Sequence, residues 1–231
     1  GKKLEQINQA TTPDAMRAVI TEDFYALDLD GYAKLSSQQE EKLIGKLCSK
    51  AQADGFGSIS EYAECFNGYT AVALLNDSQD KDAEKSILES KSAVLGLDGE
   101  LAQQLGEADV FDAFAEVILA KSFTEPQEVQ EAYIDTLLNL CVKNSKWSEL
   151  YDRLVLLSKN GADIDLEPYE KIKDEESAAA KAMQALVGKD VHIKTFDAAL
   201  REAVGDGSGD FGSKDRRPSG GGGGGGTGGA G

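Results

Sequence analysis

Histidine, tryptophan and cysteine are the scarcest functional side chains in this sequence, and their scarcity removes several kinds of site. The single histidine, His192, excludes a histidine-based metal cluster and leaves a catalytic triad with only one candidate base. The three cysteines contain no C-x-x-C pair, so neither a disulfide framework nor a zinc site is predicted. Cys48 and Cys65 could approach each other, but buried thiols are the favoured interpretation for both. We expect no cofactor and no metal.

Basic residues and long apolar runs are also lacking. The chain has 24 basic against 41 acidic residues, a formal net charge of -17, and no basic stripe, which argues against nucleic acid and against anionic membrane surfaces. No apolar run approaches the roughly 20 residues of a membrane helix, so membrane insertion is not expected. Aromatic residues make up only 7%, so the core must be built mainly from aliphatic side chains.

What the chain does contain is an internal repeat. The string Leu27-Asp28-Leu29-Asp30 returns as Leu95-Gly96-Leu97-Asp98 and again as Ile164-Asp165-Leu166-Glu167, at intervals that differ by a single position. Apolar pairs precede the three strings at matching distances: Val19-Ile20, Ile87-Leu88 and Leu156-Leu157. The near-constant spacing predicts three copies of one unit, covering residues 1–77, 78–144 and 145–205.

Each unit is predicted to be a small bundle of helices. Apolar residues recur with helical spacing, and no segment has the alternation of a sheet. The second helices are expected at residues 40–50, 110–121 and 175–187. An apolar loop residue then precedes each last helix: Phe56, Phe123 and Ile193. The predicted fold class is all-α, with three tandem bundles in an elongated array whose helices are shared or packed across the junctions.

Local signals place the helix starts of the first unit. Thr12-Pro13 suits the first turn of a helix, and Ser36 or Ser37 can cap the next one, with Glu40 completing a capping box. Ser58 or Ser60 starts the last helix. In the link, period-two alternation predicts that Leu27 and Leu29 both face the core while the acids face water.

Residues 206–231 change character. Seven consecutive glycines, residues 220–226, follow Arg216-Arg217-Pro218-Ser219, and no periodicity remains. Glycine runs are entropically expensive to order, so this segment is predicted to be a disordered, flexible linker. A tether of this kind, together with the absence of a starting Met, is expected of a fragment of a longer protein.

Several acidic residues have spacings that could suit a calcium site or a pair of catalytic carboxylates. With Gly31 at position 6 of a calcium loop, Ala26 and Ser37 would occupy positions 1 and 12, where acids are required, so calcium is disfavoured. Adjacent acids such as Glu40-Glu41 and Asp174-Glu175-Glu176 lie at predicted helix starts, where the helix dipole favours them. We therefore predict no catalytic residue and no enzyme.

The order of these signals resembles the helical tandem-repeat region of Gram-positive bacterial cell-surface proteins that contain S-layer homology domains. The residues that carry the resemblance are the Leu-x-Leu-Asp link with Tyr32 and Leu35-Ser36, the loop at Phe123-Thr124, and the glycine spacer after Pro218. The resemblance implies an extracellular, cell-surface location, with anchoring domains beyond the spacer. It implies a structural or adhesive role, with cell-wall polysaccharide, a host protein or a neighbouring surface protein as partners.

One alternative function stays open at this point. The units could bind a carbohydrate or another cell-wall component in a groove, and Trp147, the only tryptophan, could stack on a sugar ring. Packing at a junction between units is the favoured interpretation of Trp147. The leading hypothesis is a non-catalytic spacer or adhesive stalk, and an enzyme is placed last.

Overall fold

The computed structural model describes residues 1–21, 26–160 and 164–192, together with Thr195 and Ala198. Within these ranges the chain is helical and contains no strand, so the predicted all-α class is confirmed. The helices α1 to α11 are, in order, Lys2–Gln9, Pro13–Thr21, Leu29–Ala33, Ser37–Gln52, Ile59–Asn76, Lys81–Lys91, Gly99–Ala102, Ala108–Ala120, Pro126–Lys143, Trp147–Lys159 and Ala178–Ala182. Short 3-10 helices cover Gln103–Gly106, Glu167–Lys173 and Met183–Leu186. None of the described helices is both long and apolar enough to cross a bilayer.

The chain divides into two compact units, residues 1–137 and 138–231, with the boundary inside α9. The predicted ends of the first two repeats lie immediately after long helices, because α5 ends at Asn76 and α9 ends at Lys143. The division into residues 1–77, 78–144 and 145–205 remains a prediction. The predicted linker at 206–231 and most of the helix predicted after Ile193 lie outside the described residues.

Helix starts follow the local signals closely. Pro13 is the first residue of α2, and the Thr12 hydroxyl accepts a hydrogen bond from the amide of Ala15 at 3.3 Å. Ser58 caps α5 by accepting from the amide of Glu61 at 3.1 Å. A side-chain oxygen at these positions satisfies an amide that has no partner inside the helix. Both starts could therefore be predicted from a few neighbouring residues.

The capping box of α4 forms with a different partner from the one predicted. Ser36 is the N-cap, and Gln39 returns the hydrogen bond to the Ser36 amide at 2.9 Å. Glu40 was expected in that role, but it lies one residue further along, on a different side of the helix. Its carboxylate is thereby left to contact α2 instead.

The link before α3 is also partly different from the prediction. Leu27 is buried, whereas Leu29 is 37% exposed. Leu29 is the first residue of α3, so the period-two alternation of an extended chain does not apply there. In the second copy of the string, Leu95 and Leu97 are both buried, as predicted.

The unit of residues 1–137 is built around aromatic and aliphatic side chains from its longest helices. Tyr62 and Phe66 of α5 are fully buried, and Tyr62 packs edge-on against Phe56 with the ring centroids 5.2 Å apart. Further along, Phe114 of α8 and Tyr133 of α9 are buried with their ring centroids 5.3 Å apart. Each buried ring contributes a large apolar area, so a few aromatic residues add substantially to this core.

In the unit of residues 138–231, α10 packs against the 3-10 helix Glu167–Lys173. Tyr169 and Ile172 of that 3-10 helix are buried. The helix predicted at residues 175–187 is shorter, since α11 begins only after the Ser177 cap and a 3-10 turn then runs to Leu186. Such turns are common where an α-helix ends.

Candidate functional site

Three asparagine side chains each hold a loop by its backbone, and we call these contacts the asparagine brackets. Asn8 donates to the carbonyl of Phe56 at 3.0 Å and accepts from the Phe56 amide at 2.7 Å. Asn76 holds Phe123 in the same way at 2.7 and 2.9 Å, and Asn139 holds Val191 at 2.8 and 2.8 Å. Each held residue is a buried apolar residue. A carboxamide matches a backbone N–H and C=O together, so one side chain satisfies both groups.

The brackets connect elements that are distant in sequence. In each case the asparagine lies 47 to 52 residues before the loop that it holds. Sequence analysis identified Phe56 and Phe123 as loop residues but missed the asparagines. The third held residue is Val191, two positions before the predicted Ile193, which lies outside the described residues. Asparagine recurs at positions 8 and 76, the same interval that separates Leu27 from Leu95, and this signal could have revealed the first two brackets.

A charged cluster joins α2 to α4. The Arg17 guanidinium donates from Nε and Nη2 to the Glu40 carboxylate at distances of 2.9 to 3.2 Å, and the Tyr32 hydroxyl donates to the same carboxylate. Hydrogen bonds from Arg17 lower the pKa of Glu40 despite partial burial, with Tyr32 contributing in the same direction. Burial, followed by the hydrogen bond to Glu40, raises the pKa of the Tyr32 hydroxyl.

Both shifts stabilise the protonation state that each group already has, with Glu40 ionised and Tyr32 protonated. A general base needs a pKa near the working pH, but here the carboxylate is kept ionised and bound by a bidentate arginine. The tyrosine proton is likewise retained. The cluster therefore fixes α2 on α4, and its geometry favours a structural role over acid-base chemistry.

A cleft lies between α6 and the segment from α7 to α8, and we call it the α6–α8 cleft. Its volume is about 690 Å³, within the usual range of ligand pockets. The floor is apolar, with Leu88, Leu97, Leu105 and Phe111 among its residues, and charged groups of both signs stand at the rim. The Lys85 ammonium lies 5.8 Å from the centre of the Phe111 ring.

The predicted repeat would place Lys85 of α6 at the position that Arg17 has in α2. Lys85 has no bidentate carboxylate partner among the interactions of the described residues. The Arg17 and Glu40 pair that draws α2 onto α4 is thus without an equivalent between α6 and α8. The ion pair of Arg17 and Glu40 holds α2 against α4, whereas α6 and α8 leave a cleft between them.

A smaller groove of about 380 Å³ lies between α4, α5 and the loop at residues 122–124. Lys46 crosses it, donating to the Thr124 carbonyl at 2.6 Å, pairing with Glu125 at 3.2 Å and lying 4.1 Å from the centre of the Tyr69 ring. The lysine charge is therefore already bound by this chain's own groups. Fewer polar groups are therefore free to bind a ligand in this groove than in the α6–α8 cleft.

The residues that the sequence analysis considered as site candidates differ in their burial and in their contacts. Trp147, the candidate ligand-binding residue, begins α10 with its side chain in the core and 2% exposed, so a sugar could reach the ring only if α10 moved. His192 is exposed. Asp28 caps α3 by accepting from the Gly31 amide at 3.0 Å and pairs with Lys91 at 2.6 Å, so its carboxylate is already bound within the chain.

The cysteines are all free thiols. Cys48 and Cys65 are not joined by a disulfide; Cys48 and Cys141 are buried and Cys65 is half-buried. Burial raises the pKa of each of the three thiols, in the case of Cys141 to about 11. A raised pKa keeps a thiol protonated and weakly nucleophilic.

In the described part of the chain, no three His, Cys, Asp or Glu side chains come together in a group that could hold a metal ion. No protein family, curated protein or solved structure matches this chain.

Proposed function

We propose that this chain is a non-catalytic structural and interaction module, a spacer or adhesive stalk of a secreted bacterial surface protein. The observation that carries the proposal is the series of asparagine brackets. They hold equivalent loops in chain order, and each asparagine belongs to a helix that precedes the group of helices whose loop it holds.

A bracket of this kind makes one helix serve two consecutive units. In the predicted division, α5 is the last helix of the first repeat, yet its Asn76 holds the loop of the second at Phe123. Likewise α9 ends the second repeat, yet its Asn139 holds Val191 of the third. Sharing helices in this way stabilises neighbouring units that are too small to be stable alone, and it suits an array that extends in one direction.

Small-angle scattering of the whole chain would test the stalk. A compact domain of this length has a radius of gyration of about 17 Å. We expect a clearly larger value and an elongated envelope, and the same elongation in a chain ending at residue 205, which controls for the glycine-rich segment. A near-spherical envelope for the shortened chain would contradict the proposal.

A second candidate is binding of a carbohydrate or another cell-wall component, and the α6–α8 cleft is the observation that favours it. Its volume suits a small ligand, and its apolar floor with charged rim offers both stacking and hydrogen bonding. Glycan-array screening would test this function. Binding that is lost in Phe111→Ala and kept in Trp147→Phe would support the cleft, whereas no binding to any array glycan would count against this candidate.

A further inference from the structure

Glu84 is a fully buried carboxylate without a hydrogen-bond partner. It lies in α6, its side chain is 0% exposed, and neither carboxylate oxygen has a partner among the described residues. Buried polar groups are normally paired, and an unpaired buried charge is strongly unfavourable. A carboxylate in this environment therefore requires a physical explanation.

Its position in the repeat identifies it as a core position. Glu84 is the second-repeat equivalent of Met16, which is also 0% exposed, and the third-repeat equivalent is Arg153, which is 6% exposed. Met16 contacts the Tyr62 hydroxyl at 3.6 Å. Arg153 pairs with Glu149 at 2.8 Å and lies 2.9 Å from the Cys141 sulfur. Of these three residues, only Glu84 is ionisable and also lacks a hydrogen-bond partner among the described residues.

The charges around Glu84 do not compensate for its burial. Desolvation, and after it the charge of Asp80, raise the pKa of Glu84 to about 7, and only Lys81 acts in the opposite direction. Both charged neighbours are at the N-terminal end of α6 itself. The helices that pack most closely against α6 are α5 and α8, and neither contains a lysine or an arginine. Their charged residues are all acids: Glu61, Glu64, Asp109, Asp112 and Glu116.

The other side of α6 borders open space. The helix lines the α6–α8 cleft along its whole length. The only ion pair of its N-terminal half among the described residues is the exposed contact of Lys81 with Asp112 at 3.5 Å. At the C-terminal end, the better-buried pair of Lys91 with Asp28 holds the helix at 2.6 Å. The N-terminal half thus has room to move, and exposed ion pairs such as that of Lys81 add little.

We propose that α6 is a pH-dependent element of this chain, whose N-terminal half packs on α5 and α8 while Glu84 is protonated and separates from them when Glu84 ionises. The packed form holds the proton more tightly than the open form, in which water solvates the carboxylate. Packing is therefore fully stable below the ordinary glutamate pKa of 4.5 and is lost as the pH rises through about 7. The inference is independent of the stalk proposal, since it concerns one helix.

Amide hydrogen exchange of α6 at pH 5.5 and pH 8, corrected for intrinsic rates, would test the proposal. The pKa change implies that the opening constant of α6 rises about 30-fold between these pH values in the unmodified chain. Glu84→Met introduces the side chain found at the equivalent position 16. We expect this variant to be as protected as the unmodified chain at pH 5.5 and to lose the pH dependence.

Two further variants make the result specific. Glu84→Gln cannot ionise, so we expect no pH dependence of α6 opening even though the unpaired amide lowers protection at both pH values. Glu89→Gln, at an exposed position of the same helix, should keep the full pH-dependent change. Persistence of the pH dependence in Glu84→Met or Glu84→Gln would overturn the proposal. So would lower protection of Glu84→Met than of the unmodified chain at pH 5.5, because the carboxyl would then make a contact that methionine cannot.

Discussion

The side chain of Asn76 holds both backbone groups of Phe123, donating to its carbonyl at 2.7 Å and accepting from its amide at 2.9 Å. The contact joins the last residue of α5 to a loop 47 residues further along the chain. Phe123 is buried, so its amide and carbonyl have little access to water and depend on this partner.

Replacing Asn76 by alanine should therefore destabilise the unit of residues 1–137. Two hydrogen bonds are lost and two buried backbone groups are left unpaired, which should lower the free energy of unfolding by about 2 kcal/mol. Urea unfolding of the whole chain measures the change. Asn144→Ala is the matched control, since Asn144 is exposed just beyond α9, and it should be nearly neutral. An equal effect of the two substitutions would mean that the bracket contributes nothing to stability.

The cluster of Arg17, Tyr32 and Glu40 should make stability depend on pH in the acidic range. The pKa of Glu40 is lowered in the folded chain, so the stabilisation is present above the ordinary glutamate pKa and is lost as the pH falls through the folded value. Glu40→Gln should lower the urea midpoint at pH 7, and the difference from the unmodified chain should shrink at low pH.

Glu41→Gln is the control for this pH dependence, because Glu41 is the adjacent residue of α4 and is exposed. Its urea midpoint should follow that of the unmodified chain at every pH. A difference between Glu40→Gln and the unmodified chain that stays constant from pH 7 to pH 3 would show that the carboxylate charge does not matter.

Two glycines of the same region should respond in opposite directions to alanine. Gly45 lies within α4 with open space around the position of a Cβ atom, so Gly45→Ala should raise the free energy of unfolding by about 0.5–1 kcal/mol. Gly55 has a φ of +71°, and a Cβ there would approach the Asn8 carboxamide oxygen to 3.2 Å. Gly55→Ala should lower the free energy of unfolding by about 1 kcal/mol or more.

Thermal unfolding of the two variants side by side would measure this contrast. The same chemical change is made in both, so a difference of sign reports on backbone conformation and local space alone. Stabilisation by Gly55→Ala would be incompatible with the positive φ and with the bracket of Asn8 on the neighbouring Phe56.

The thiols should differ in reactivity in the folded chain. Cys65 is half-buried, whereas Cys48 and Cys141 are buried, and burial raises the pKa of Cys141 to about 11. At pH 8 we expect iodoacetamide to modify Cys65 first, and all three cysteines at similar rates in denaturing urea. Mass spectrometry of the modified peptides identifies the order. Fast modification of Cys141 without denaturant would contradict its burial, and Cys65→Ser should remove the fast phase.

Much of the local structure could be predicted because its causes lie within a few residues. The start of α2 at Pro13 and the cap of α5 at Ser58 depend on contacts with residues two to four positions away. For α4 the sequence left Ser36 and Ser37 open as the cap and indicated Glu40 as the partner, whereas Ser36 pairs with Gln39. A one-residue error places a side chain on another face of a helix, so the capping pattern alone could not show that Glu40 contacts Arg17.

The repeat spacing was likewise visible in the sequence, but the meaning of individual positions was not. The predicted repeat assigns residues 16, 84 and 153 to one position. Only the packing shows that Met16 lies in a core, that Arg153 has partners and that Glu84 has none among the described residues. Leu29 follows the repeat pattern of Leu97 but is exposed, because α3 begins there.

The helical class, the recurring spacing and the starts of α2 and α5 follow from the amino-acid sequence, since they depend on propensity, periodicity and capping along the chain. Only the folded chain shows the asparagine brackets, the burial of Trp147 and the isolation of Glu84. Each of these depends on which distant groups meet, and the free energy of a buried polar group is set by the partners it finds there.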